Sequence, residues 1–182
     1  MAYQIISFLL DVAAGLLGGA CLLRLYMQHQ RTGFGNPVGR FVFALTDWLI
    51  LPLRKVLPAM GRWDTASIVA AYLVELVQFS LLFALLGGAL GYSVVPLLAL
   101  FGLVRLAISG LTGLVIVYAI LSWVRADSPI VDIIDRLCMP LLRPWRKLIP
   151  LVGGIDLSPL ALLVVLQVAA IILNSVQQSL LR

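Results

Sequence analysis

Residues 139–159 read MPLLRPWRKLIPLVGGIDLSP, and the pattern recurs 92 positions earlier. Pro144, Arg146, Lys147, Pro150 and Asp156 fall on Pro52, Arg54, Lys55, Pro58 and Asp64 without a gap. The same offset carries Tyr118 onto Tyr26, Pro129 onto Pro37 and Gly110 onto Gly18. A fixed period of this length marks an internal repeat, and it constrains the architecture before any element is assigned. Each copy, 1–91 and 92–182, reads as an apolar segment, a basic proline-punctuated loop and a second apolar segment.

Of 182 residues, 62% are hydrophobic and only 12% charged, which excludes an ordinary soluble domain. The predicted fold class is all-α integral membrane: four transmembrane helices at about 5–25, 66–86, 103–124 and 159–176, arranged as two parallel helix–amphipathic loop–helix repeats. The first run has no basic residue ahead of it and carries Arg24 at its far end, so it reads as a retained span rather than a cleaved signal. Most of the thirteen basic residues lie in or beside the loops 28–64 and 125–155. The positive-inside tendency places both loops in the cytoplasm and both termini outside. This charge reads as orientation and contact with anionic lipid, not as nucleic-acid binding.

Both loops carry amphipathic stretches. Val38, Val42, Leu45, Leu49 and Leu53 recur at helical spacing, as do Ile130, Ile133, Ile134, Leu137, Leu141 and Leu142. Pro52 and Pro58 are expected to interrupt the first of these helices, and Pro140 with Pro144 to break the second and leave 141–149 as a bent or separate element. Trp145 is expected at headgroup level, with Arg143, Arg146 and Lys147 near lipid phosphates. Asp64 or Thr65 is expected to cap the second span, and Ser158 followed by Pro159 the fourth.

Within the spans, Gly15 and Gly19, with Ala14 and Gly18 beside them, are expected to form a helix-packing face. Glu75 lies ten residues into its span, near the middle of the bilayer, and its counterpart one period on is Gln167. Two readings stand for it: a hydrogen bond to Gln167 across a pseudo-symmetric helix interface, or an ion or proton role. Arg105 is expected either to approach Asp11 or to snorkel to the interface. Cys21 and Cys138, with no CxxC, read as small buried side chains. The single His29 reads as interfacial, with haem ligation the sharper alternative. No nucleophile–histidine arrangement, phosphate loop or zinc ligand set occurs, so no catalytic, cofactor or metal residue is nominated and the chain reads as a non-enzyme.

With LLRPWRKLIPLVGGIDLSP and its partner LPLRKVLPAMGRWD both in view, the chain resembles the YggT family, called YlmG in Gram-positive bacteria. The resemblance covers nearly the whole length and implies the four-span, two-copy form. It carries the family motif onto Pro140, Arg143, Pro144, Arg146, Pro150, Gly153, Gly154, Asp156, Ser158 and Pro159. The first copy departs from that motif, with Leu51 in the place of Arg143 and Arg62 in the place of Gly154, so the second is the better binding candidate. The resemblance implies links to cell division and septum assembly, to nucleoid distribution and haem attachment to a b-type cytochrome in plastids, and to osmotic tolerance.

Two functions are expected. One is a non-catalytic inner-membrane scaffold or assembly factor in cell division or in membrane-protein and cytochrome biogenesis. Its partners would be anionic lipid headgroups, division or cytochrome-assembly proteins and further copies of itself, met by Arg54, Lys55, Arg143, Trp145, Arg146 and Lys147. The other is an oligomeric channel or transporter for ions or osmolytes, using Glu75, Gln167, Asp11 and Arg105.

Overall fold

The computed structural model describes residues 1–58, 61, 63–85, 92–124, 128–149 and 156–180. The motif positions Pro150, Gly153 and Gly154 lie outside them. The described α-helices are α1 (Ala2–His29), α2 (Pro37–Val56), α3 (Thr65–Leu85), α4 (Val95–Val124), α5 (Pro129–Leu148) and α6 (Ser158–Leu180). Four of these, α1, α3, α4 and α6, are long and apolar enough to cross a membrane. At 1.5 Å per residue α1 is about 42 Å long, more than the roughly 30 Å hydrocarbon core, so its ends reach into the headgroup layers.

α4 begins eight residues before the expected start at 103. Pro96 occupies its first turn, where a missing N–H costs nothing, and the apolar run continues unbroken from there. α1 packs on α3, α3 on α4 and α4 on α6, while α1 also meets α4. α2 lies across α1 and α3, and α5 lies across α4 and α6.

The two amphipathic helices sit at one end of the bundle. Met27, Val42, Ile133 and Leu137 form a single buried cluster drawn from α1, α2 and α5. The Tyr26 hydroxyl donates to the Leu137 carbonyl across 2.7 Å. α2 is started by Asn36, whose side chain accepts from the Gly39 amide, and α5 by Ser128, which accepts from the Ile130 amide. In both, proline follows the cap. A side chain at Gly39 would strike the Phe34 carbonyl oxygen at 2.4 Å, so that turn requires glycine.

The prolines do not break these helices: α2 continues through Pro52, and α5 through Pro140 and Pro144. All three are exposed. The backbone groups they free face outward, where water and headgroups can satisfy them, while the buried stripe of each helix stays anchored on the bundle. Leu137, Cys138 and Leu142 on α5 are completely enclosed.

Of the expected packing face on α1, Ala14 and Gly18 are buried in the bundle and the Gly15–Gly19 pair is corrected. Neither glycine has a neighbour within 4 Å of the place its side chain would occupy. Gly18, one residue away, makes the close approach: a Cβ there would lie 2.6 Å from Leu106 Cδ2 of α4. Gly15 and Gly19, with Gly110 and Gly113 of α4, instead line an apolar groove of about 460 Å³ between α1 and α4.

Candidate functional site: two arginine–aspartate links and a basic depression

Each amphipathic helix is tied to the start of the span that follows it by an arginine and an aspartate. In the first half Arg54, in the last turn of α2, donates through Nη2 to Asp64 Oδ2 immediately before α3. In the second half Arg146, in the last turn of α5, donates through Nε to Asp156 Oδ2 across 2.8 Å. Both aspartates lie at or near a helix N-terminus, whose free N–H groups and positive dipole end favour an anion. Asp64 also accepts from the Ser67 hydroxyl at 2.7 Å, and Asp156 accepts from the Ser158 amide at 2.9 Å. The capping carboxylate of α6 therefore belongs to Asp156 rather than to Ser158.

The surroundings of the two links differ. Asp64 is fully enclosed, and Arg24 of α1 enters the same site with its Nε 4.0 Å from Asp64 Oδ2. Arg24 donates from Nη1 to Thr46 Oγ1 at 2.9 Å and to Asp47 Oδ1 at 2.7 Å, and its guanidinium stacks on Phe43. The positions 92 residues on, Ile116 and Met139, have no charge. The second link recruits Tyr118 instead, whose hydroxyl accepts from Arg146 Nη2 at 2.6 Å.

Burial works against ionisation of Asp64, but hydrogen bonds from Arg54 and Ser67, with the charges of Arg54 and Arg24, outweigh it and hold the carboxyl below the usual aspartate range. At Asp156 burial is likewise outweighed by hydrogen bonds from Ser158 and Arg146 and by the Arg146 charge, and its carboxyl also titrates low. On α5, burial first and the nearby Asp135 second push the Cys138 thiol up to about 12, so it stays an uncharged packing group.

Beside the second link is a depression of about 460 Å³ lined by Met139, Pro140, Arg143, Arg146 and Lys147. Arg143 and Lys147 are exposed, and Arg146 is half-buried. The depression thus joins three cations, one of them already neutralised by Asp156. Lys55 is exposed at the corresponding place on α2, but Leu51 stands where Arg143 would be. Trp145 is half-buried and packs against the cluster of Ile134, Cys138, Leu142 and Leu162. Among the described residues the exposed tryptophans are Trp48 and Trp63, the latter tilted against His29 with ring centroids 4.8 Å apart.

Neither pairing expected inside the spans, Glu75 with Gln167 or Arg105 with Asp11, is made as a hydrogen bond or ion pair. Gln167 is exposed on α6 and makes no contact with Glu75. Arg105 donates to Gln177 Oε1 at 2.7 Å, while Asp11 accepts from Gln78. Sequence reasoning missed Arg24 and Tyr118 as members of the two links. Arg24 was visible as a lone charge closing an apolar run, and Tyr118 as a residue shared at the repeat offset, but neither observation names a partner.

The profile of the CCB3/YggT family matches this chain at residues 3–86 and again at 97–177. The chain is 38% identical over 167 residues to the protein YggT of Escherichia coli (strain K12), covering 90% of this chain and 86% of that one. It is 34% identical over 173 residues to a protein encoded in the proC 3′ region of Vibrio alginolyticus, covering 93% and 94%. With a Haemophilus influenzae protein it shares 32% identity over 148 residues, covering 80% and 78%. No solved structure matches the chain.

Proposed function

The chain belongs to the CCB3/YggT family, and on that premise we propose that it is a non-catalytic scaffold or assembly factor of the bacterial inner membrane. The two halves are parallel copies of one unit, with α2 and α5 on the cytoplasmic face and both termini outside. This reading is supported by the family profile matching once in each half and by the Arg54–Asp64 and Arg146–Asp156 links lying 92 residues apart.

The working surface is α5. The observation that carries this is the depression where Arg143, Arg146 and Lys147 converge. Asp156 answers only one of those charges, so Arg143 and Lys147 remain to hold the phosphate of an anionic headgroup. Fixed at the membrane surface in this way, α5 presents its polar face to cytoplasmic partners in division or in cytochrome assembly. Arg54 and Lys55 of α2 supplement it, but Arg54 is already committed to Asp64.

The test is native mass spectrometry of protein extracted from mixed anionic and zwitterionic membranes, together with crosslinking from a photoreactive residue at the exposed, uncharged Met139 of the same depression. Arg143→Glu with Lys147→Glu leaves the Arg146–Asp156 link intact. At about 1 kcal/mol per basic residue near an anionic surface, the pair should lower preferential retention of anionic lipid at least about tenfold, and should release the crosslinked partner. Unchanged lipid preference with unchanged partner capture would remove the reading.

A further inference from the structure

The two ends of the bundle are chemically unlike. At the α2/α5 end every buried charge has a counter-charge. In the middle of α3, Glu75 has none: it is 6% exposed and has neither a hydrogen bond nor an ion pair among the described residues. Its carboxyl is pressed against the backbone of α4, for a Cβ added at Gly102 would lie 2.1 Å from Glu75 Oε2. Glycine at position 102 is what leaves room for the acid. Glu75 is ten residues from either end of α3, about 15 Å from each.

The charged groups facing Glu75 from the helices around α3 are Arg105 of α4 and Asp11 of α1. Neither is bonded to it. Of the charges of α2, Asp47 and Arg54 are held at the end of the bundle by Arg24 and Asp64, and Arg40 and Lys55 are exposed. On α3 itself Tyr72 is turned to the Pro96 carbonyl, and Gln78 donates to Asp11.

These groups form a ladder in one direction only. Gln78 is three residues beyond Glu75, about 10 Å from the end of α3 distal to α2 and α5. Gln177, which holds Arg105, is three residues from the end of α6, about 5 Å from that same face. Asp11 and Arg105 are both exposed. Toward the other end the wall of α3 is closed by Ala70 and Ala71, completely buried and packed where Gly18 lets α1 approach.

We propose that Glu75 is a proton-binding site, loaded from the membrane face opposite α2 and α5 through Asp11 and Gln78. The ligand is a proton because a bare metal cation requires about six or more oxygen donors, and one carboxyl against a helix backbone cannot supply them. An ionised carboxylate is costly at this depth without a partner, so the seated position against Gly102 is that of the neutral acid, Glu75–COOH. Loss of the proton to the distal face leaves a carboxylate whose available counter-charge is Arg105. Meeting it would take Arg105 from Gln177, so proton occupancy sets the α3–α4–α6 contact.

A hydrophobic carbodiimide tests this, since it reacts with protonated, water-poor carboxyls: the acid proton passes to a carbodiimide nitrogen as the carboxylate oxygen bonds to its central carbon. With protein in lipid nanodiscs and mapping by peptide mass spectrometry, wild type should be modified at Glu75. The yield should fall roughly tenfold per pH unit above a titration midpoint. Glu75→Gln, isosteric and expected to fold, should show no modification in the peptide. Gly102→Ala should lower the yield several-fold by displacing the carboxyl, and Asp11→Asn should move the pH profile. An unmodified Glu75 at every pH in folded protein would overturn the proposal. So would a yield that ignores pH, Gly102→Ala and Asp11→Asn, which is the behaviour of a permanently neutral packing group.

Discussion

The first half of the molecule and the second half join an amphipathic helix to the next span in the same way, but they place that joint in different surroundings. Asp64 is completely enclosed and answers Arg54 and Arg24, whereas the side chain of Asp156 is 29% exposed and answers Arg146 alone. Arg24 and Asp47 of the first half are replaced by Ile116 and Met139 in the second. The first joint is thus closed on itself, with its charges balanced inside. The second is left at the rim, where Arg143 and Lys147 can act on something outside the chain. A shared link with different neighbours separates what holds the bundle from what meets a ligand.

The strongest way to break that comparison is to remove each aspartate in turn. Asp64→Asn takes the enclosed anion from Arg54, Ser67 and Arg24 together and leaves Arg24, whose side chain is only 3% exposed, with Asp47 alone; it should cost about 2–4 kcal/mol, somewhat less than stranding a buried charge outright. Asp156→Asn should cost about 1–2 kcal/mol, because Arg146 keeps Tyr118 and partial access to solvent. Unfolding in a graded mixture of mild detergent and dodecyl sulfate reads both values. Equal losses would mean that enclosure does not distinguish the two joints.

A second experiment converts one surrounding into the other. Arg24→Ile should cost about 2–4 kcal/mol by itself, since Asp47 loses its partner and Thr46 and Phe43 lose theirs. Adding Asp47→Met, so that the pair matches positions 116 and 139, should return at least about 1 kcal/mol of that, because well-packed apolar groups often replace a buried ion pair at little cost. Strict additivity of the two changes, measured by the same unfolding assay, would show that the pair does not act as a unit.

The glycines sharpen the contrast further. Gly18 and Gly110 stand 92 residues apart, yet a Cβ at Gly18 meets Leu106 while one at Gly110 meets nothing within 4 Å. Gly18→Leu should cost about 1–3 kcal/mol by overpacking, and Gly110→Leu should stay within about 0.5 kcal/mol of wild type. A reversed order would mean that the groove between α1 and α4 closes in the membrane.

These contrasts also mark where the sequence was readable. Depth was: four apolar runs, two amphipathic stripes and the position of Glu75 halfway along α3 all follow from spacing and rise per residue. Azimuth was not. Position 75 faces the α3–α4 seam because α3 is enclosed between α1 and α4, while position 167 faces outward because α6, among the described residues, packs chiefly on α4 and α5. The Gly15–Gly19 pair failed for the same reason, since the contact surface of α1 is rotated by one residue onto Gly18. The prolines were misread for another: a residue that breaks an isolated helix is tolerated on the outer face of one already held down by its buried stripe. The joints escaped because a side chain's partner on another helix has no signature in local spacing.

The smallest predicted effect is the pH dependence of the rim joint. Asp156 titrates below its ordinary value, because Ser158 and Arg146 favour the carboxylate by more than burial disfavours it. A lowered pKa means that the folded state binds the proton less readily than the unfolded chain. Its stabilisation is therefore complete above the unfolded value of about 3.9 and drains away as pH falls through the lower folded value. Asn is close to a permanently protonated Asp, so the gap between wild type and Asp156→Asn should be about 1–2 kcal/mol at neutral pH and shrink below about 0.5 kcal/mol near pH 2. Asp64→Asn should converge on wild type from a larger gap and only at lower pH, since more hydrogen bonds and charges hold the Asp64 carboxylate ionised. Unfolding curves collected from about pH 7 down to about pH 2 compare the two directly. If the Asp156→Asn gap stayed constant across that range, the link would act through shape rather than charge, and the difference between an enclosed joint and a charged rim would lose its electrostatic basis.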